Sequence, residues 1–242
     1  MDRPRCPGQD MRYWKPEDIF ALACPTCGEE VEFWKDEPVR ICSGCQTELR
    51  NPRIDLGCAK WCQFAAECLG EGPAVAAILC DRLLAEMRRV FDGHEEMVEH
   101  TLQVLRHADE IRTAEGGDPL VAQAAAILHD IGIPEAIRKH GSAAGPFQEQ
   151  EGPPIARGIL ERLGVEAGAI DHICRIVGAH HTGRDIDTPE FRIVWDADWL
   201  VNFPSAYGRL DRDAAEGVIE ATFRTPTGRR MARRMHLGER HA

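Results

Sequence analysis

Between Pro119 and Ile131 the chain reads PLVAQAAAILHDI, which as a helix is apolar on almost every side. Leu120, Val121, Ala124, Ala125, Ile127, Leu128 and Ile131 leave no solvated stripe, so this helix has to be enclosed by others. Asp118 supplies an N-cap, Pro119 the first helical position, and Gly132 a stop just past the end. The same segment ends in His129 and Asp130. Burying an ionised carboxylate without a partner costs several kcal/mol or forces its pKa up. Whatever surrounds this helix must therefore answer an imidazole and a carboxylate.

Neighbouring segments carry matching groups at helical spacing. Over about Glu95 to Ala114, Met97, Val104, Ala108 and Ile111 form an apolar stripe, and His100 falls within it. In VEAGAIDHICRIVGAHHTG, read as a helix stopping at Gly183, Ile173 and Val177 set the stripe and His180 lies on it. Across about Phe191 to Phe203, Val194 and Val201 flank Asp198. Each of these helices puts a His or an Asp on an inward face. Together His100, His129, Asp130 and Asp198 form an N2O2 donor set suited to a divalent transition metal. Two further helices are expected, one opening at the prolines of GPPIARGILERLG and ending at Gly164, the other over about Asp213 to Phe223. Alternating, strand-like runs are nearly absent after Pro73.

The first third of the chain has a different composition. Of ten cysteines, Cys6, Cys24, Cys27, Cys42, Cys45, Cys58, Cys62 and Cys68 lie within it, and only Cys80 and Cys174 follow. CPTC and CSGC, separated by fourteen residues, have the spacing of two zinc knuckles, with Cys24, Cys27, Cys42 and Cys45 as a closed thiolate set. The intervening VEFWKDEPVRI alternates as in a β-hairpin. Cys58, Cys62 and Cys68 form a second cluster of three thiols, a candidate for a second zinc or an Fe–S cluster if Cys6 or Cys80 completes it, and otherwise a packed helix. The expected architecture is mainly α: residues 1–72 a cysteine-rich module (zinc-ribbon-like over 20–50, a further cluster over 58–68), residues 73–242 an all-helical bundle.

The formal net charge of −11 disfavours nucleic acid as a partner, since phosphate contacts need clustered Lys and Arg. GRRMARRMH is the one basic stretch and reads as a solvated helix face or frayed tail. No run reaches the ~18 apolar residues of a membrane span, and the N-terminus lacks a signal-peptide apolar core. A cytoplasmic protein with reduced, metal-holding cysteines is the expectation.

The order of these residues resembles the HD-domain superfamily of metal-dependent phosphohydrolases, whose pattern is a His, then His-Asp, then a distant Asp. The matching stretches are EHTLQVLRHA (His100), ILHDIGIP (His129, Asp130) and DADWLVN (Asp198), over roughly residues 94–203. Asp196 is a rival to Asp198, but Asp198 has the preceding Ala of the family's usual setting. The resemblance implies an HD bundle and one or two divalent metals, drawn from Fe, Mn, Co, Ni or Zn. It also implies Asp130 as ligand and as bridge or base, and metal-activated water attacking a nucleotide-like phosphomonoester or phosphodiester. A second metal would draw on His140, His180, His181 and Glu96, with Glu149 or Glu151 in place of a histidine found in the two-metal branch. The Gly-Tyr-Pro signature of the cyclic-dinucleotide phosphodiesterases is replaced by HHTGRDIDTPEF, so that activity is not assigned. Lys139, His140 and Arg184 follow the ligand helices and are candidates to neutralise phosphate charge. The alternatives are a di-iron oxygenase of the same superfamily and a non-catalytic sensor or adaptor. The expected partner is a small phosphorylated substrate, with a protein partner for the cysteine module also open.

Overall fold

A computed structural model describes residues 14–35, 37, 39–51, 73–208 and 210–238. The chain divides into two compact units, Met1–Val75 and Ala76–Ala242. Cys6, Cys58, Cys62 and Cys68 lie outside the described residues, and with them the second cysteine cluster.

In the N-terminal unit the stretch between the knuckles does not fold back on itself as one hairpin. It contributes a strand to each of two. Strand β1 (Ile19–Ala23) pairs antiparallel with β2 (Glu30–Trp34), and β3 (Val39–Ile41) with β4 (Glu48–Arg50). Each knuckle is the turn of its hairpin, and the two are built alike. Gly28 N donates to Cys24 O at 2.8 Å and Gln46 N to Cys42 O at 2.9 Å. The residue after each second cysteine is left-handed, Gly28 at φ 78° and Gln46 at φ 60°. Val31, Phe33, Leu49, Cys24 and Cys42 form the small core. Asn51 ties its edge by donating Nδ2 to Trp34 O at 3.1 Å and Glu37 O at 3.0 Å.

The second unit is helical: α1 (Pro73–Val90), α2 (Glu95–Glu115), α3 (Pro119–Leu128), α4 (Ile133–His140), α5 (Gly145–Arg162), α6 (Ala167–Val177), α7 (Pro189–Tyr207), α8 (Arg212–Thr222) and α9 (Pro226–His236). The apolar helix α3 is enclosed by α2, α6 and α7, while α5 packs on α4 and α6. Asp118 caps α3 by accepting from Val121 N at 3.0 Å. Pro119–His140 is long and apolar enough to cross a membrane by length and composition, yet 67% of its most apolar window is buried inside this unit. Its hydrophobicity is accounted for by the core.

Several boundaries differ from the sequence reading. Helix α3 stops at Leu128, and His129 to Gly132 form a tight turn into α4. Helix α6 ends at Val177, capped by Gly178, so His180 and His181 sit in the turns beyond it. Helix α5 begins at Gly145, and Pro153 and Pro154 lie inside it. Each proline removes one i→i−4 hydrogen bond, which leaves the carbonyls of Glu149 and Gln150 without helical donors. The basic stretch is α9, with Met231 and Ala232 buried and Arg233 and Arg234 paired to Glu216, Glu220 and Glu110 on its outer side.

Gly132 lets the turn before α4 lie directly against the backbone of α5. A Cβ there would lie 2.6 Å from Gly152 N and 2.7 Å from Gln148 O, both backbone atoms of α5. Gly152 in turn has room for no Cβ, with Val177 Cγ1 at 2.8 Å. Gly132→Ala is expected to destabilise the protein by about 1–3 kcal/mol through overpacking. Thermal melting checks it, and an unchanged midpoint would show that α5 can retreat without cost.

Candidate metal centre

The turn after α3, the first turns of α2, the loop after α6 and the middle of α7 bring five side chains together. His100 Nε2 lies 3.3 Å from His129 Nε2, 3.1 Å from Asp198 Oδ1 and 3.5 Å from Asp130 Oδ2. His129 Nε2 lies 3.2 Å from Asp130 Oδ2 and 3.5 Å from Asp198 Oδ1. His180 Nε2 is 3.4 Å from the other Asp130 oxygen, Oδ1. N and O donors around one ion at about 2.1 Å stand roughly 3.0–3.4 Å apart, so this spacing fits a shared metal.

Backbone contacts aim the imidazoles. His129 Nδ1 donates to Ala126 O and His180 Nδ1 to Val177 O, each at 2.8 Å. With Nδ1 carrying the proton, each ring turns the lone pair of Nε2 to the cluster, as a metal ligand requires. His180 Nε2 is buried and makes no hydrogen bond. A buried polar atom left so is costly unless something absent from the protein chain completes it. The cluster fits a divalent metal on those grounds.

The electrostatics agree. Burial alone would push the His129 imidazole down, but Asp130 and Asp198 hold it well above its ordinary value. Burial would raise both carboxylates, while His129 and His180 hold Asp130, and His100 and His129 hold Asp198, below the usual carboxylate range. Two carboxylates that stay ionised in so enclosed a place call for positive charge. Asn202 Nδ2 donates to Asp198 Oδ1 at 2.7 Å and fixes that carboxylate.

A cavity of ≈ 300 Å³ opens onto the cluster, lined by Glu96, Met97, His100, Asp130, Gln148, His181, Asp198 and Asn202. Its lining holds three carboxylates and neither Lys nor Arg. A phosphate could not approach these walls without a cation. Asp130 belongs to two potential donor groups, one with His100 and His129, the other with His180 and His181.

Other residues singled out in the sequence lie elsewhere. Asp196 is not in the cluster. It accepts from Arg224 N, Thr225 N and Thr225 Oγ1, each at 2.7 Å, and anchors the loop before α9. Burial pushes it up to about 6 against these hydrogen bonds. Lys139 and His140 meet at buried Glu151, at 2.7 Å and 3.0 Å, and Lys139 also reaches Glu135. Glu149 accepts from His181 N and Thr182 N and holds the turn carrying the paired histidines. Arg184 lines a separate recess with Glu149 and Arg175. None of Lys139, His140 and Arg184 lines the ≈ 300 Å³ cavity. Gln148 and Asn202 escaped the sequence reading. Asn202 was findable, four residues after Asp198 on the same helix face. Gln148 was not, because its helix was read as starting after it; it meets His181 Nε2 through Oε1 at 3.0 Å.

In the N-terminal unit the four sulfurs of Cys24, Cys27, Cys42 and Cys45 gather within 4.8 Å of one another. Cys24 to Cys45 and Cys27 to Cys42 are each 3.5 Å apart. Zinc–thiolate bonds of about 2.3 Å in a tetrahedron space the sulfurs roughly 3.8 Å apart, close to this.

Residues 97–202 match the family model of the HD domain. The segment from His100 through Asp198 is therefore an HD domain, the fold of a metal-dependent hydrolase superfamily. In structure the chain is similar to a predicted HD superfamily hydrolase from an uncultured Thermotogales bacterium, with 25% identity and a TM-score of 0.50 over 65% of this chain and 84% of that one. Comparison with curated proteins gives no match.

Proposed function

We propose that the helical unit is a metal-dependent phosphohydrolase acting on a phosphomonoester or phosphodiester, with His100, His129, Asp130 and Asp198 as the primary ligands and His180 and His181 as donors for a second ion. The observation that carries this reading is the position of Asp130. Its two oxygens face two histidine groups, and it retains 16% side-chain exposure while His129 has none. It is thus both ligand and floor of an open cavity.

A divalent metal bound here supplies a nucleophilic water near neutral pH and polarises a phosphoryl oxygen. The chain supplies the rest. Asp130 would be the ligand common to the two histidine groups that its oxygens face. Asn202 holds Asp198 in register, and Gln148 fixes the His181 ring at the cavity wall. Gln148 Nε2 donates to Ala143 O at 2.6 Å, so its Oε1 faces His181 and accepts from Nε2–H. The proton on Nε2 leaves Nδ1 as the ligating atom of His181. In the cysteine module, zinc on the four thiolates has a structural part.

Full-length protein should hydrolyse p-nitrophenyl phosphate or its bis-ester, lose that turnover on chelation and regain it with Mn, Fe, Co, Ni or Zn. Turnover indifferent to chelation, or absent with every one of these metals, would overturn the reading.

A further inference from the structure

Beside the ligand cluster lies a second cavity, of ≈ 630 Å³. Trp199, the residue after Asp198 on α7, lines this cavity and also the recess formed by His180, His181, Asp198 and Asn202. Trp195, one turn earlier, extends the aromatic wall, with ring centroids 6.4 Å apart. The Arg224 guanidinium lies 4.3 Å from the Trp195 ring centroid and 5.0 Å from that of Phe191. Arg224 also bounds the turn that carries the paired histidines, since a Cβ on Gly183 would meet its Nη2 at 2.7 Å.

The charge in this cavity is out of balance. Arg192, Arg224 and Arg229 line it against one carboxylate, Asp187. Arg192 already takes Asp187 at 2.7 Å, and Arg224 stands back from it at 3.6 Å. Arg229 Nε is buried and makes no hydrogen bond, its nearest carboxylate, Glu220, being 3.6 Å away. In a chain of net charge −11, a recess with surplus guanidinium selects anions locally. Guanidinium groups on indoles also present a flat surface to a planar ring. The volume is in the range of small-molecule sites.

We propose that this cavity is a ligand subsite for a planar aromatic ring joined to an anionic group. The ring lies along Trp195 and Trp199, and the anion meets Arg224 and Arg229. Resting on the hydrolase reading, the subsite holds the part of the substrate that is not attacked and delivers its other end past Trp199 to Asp130.

Calorimetric titration of the full-length protein with AMP, adenosine and inorganic phosphate tests it. AMP should bind more tightly than either fragment. Arg224→Ala should weaken AMP by about tenfold, as loss of a charge-assisted hydrogen bond does. Arg224 holds Asp196 through its backbone N–H, so the tether survives the substitution. Arg224→Gln and Trp199→Phe, which keep the packing, should give the same direction with unchanged circular dichroism. AMP binding no tighter than phosphate, or an affinity within about twofold of wild type in folded Arg224→Gln, would overturn the subsite. Metal-dependent release of alcohol by wild type from either of two substrates without a ring, glycerol 2-phosphate (a monoester) or glycerophosphocholine (a diester), tests the hydrolase reading separately. Arg224-dependent AMP binding without that release would keep the subsite and remove the hydrolase; release with Arg224-independent AMP binding would do the reverse.

Discussion

Asp130→Ala protein is expected to lose the metals of the helical unit and to fall in hydrolytic rate by about 10³-fold or more, since even one lost transition-state donor costs on the order of 10²–10³. The expectation exceeds that for any other single ligand because the two Asp130 oxygens face different histidine groups. On the two-ion reading proposed above, removing a carboxylate that serves one ion would leave the other in place, whereas removing this one would disconnect both. Elemental analysis of anaerobically purified wild type and variant, compared per chain, checks it. Full metal content and full rate in the variant would refute Asp130 as the shared ligand. His129→Ala should lose metal as well, since its Nε2 is within 3.5 Å of both carboxylates.

Stripping the metal that Cys24, Cys27, Cys42 and Cys45 would hold, or replacing Cys42 with Ser, is expected to unfold the N-terminal unit while the helical unit keeps its melting transition. The described core there is five residues, two of them cysteines that would be ligands. Strands of three to five residues and so small a core leave the metal to supply on the order of 10 kcal/mol of the folding free energy. Hydrogen exchange resolved by segment reads both units in one sample. Protection of β1 to β4 that survives complete zinc loss would show that the hairpins stand without the ion.

The legible part of this protein was the part with strong periodicity. The α3 helix and its Asp118 cap were readable because an all-round apolar segment admits one environment. His100 and Asp198 were readable because each interrupts an apolar stripe at helical spacing, whereas His180, read on the stripe of α6, lies in the turn beyond Val177. What failed did so where local and tertiary rules compete. Pro153 and Pro154 read as a helix start because proline fits a first turn, yet packing on α4 and α6 carries α5 through them. The knuckle strands alternate as a hairpin would, but sequence alternation does not name the partner strand. Lys139 and Arg184 stood near the ligands in sequence, and proximity in sequence says nothing about the direction of a long side chain. Asp196 and Asp198 were separable by geometry: two residues apart on a helix, they face different neighbours.

The prolines inside α5 divide responsibilities along one helix. Ahead of them, Gln148 and Glu149 address the cavity wall and the histidine turn; behind them, Ala156, Ile159 and Leu160 are sealed in the core. Where the ladder of hydrogen bonds is broken, displacement of the leading turns is transmitted weakly to the trailing ones. Substitutions at Gln148 or Glu149 would thus act on the cavity wall and the histidine turn while Ala156, Ile159 and Leu160 keep their packing. In evolutionary terms, α5 is a joint at which the surroundings of the histidine turn can drift while the core behind the prolines is inherited unchanged.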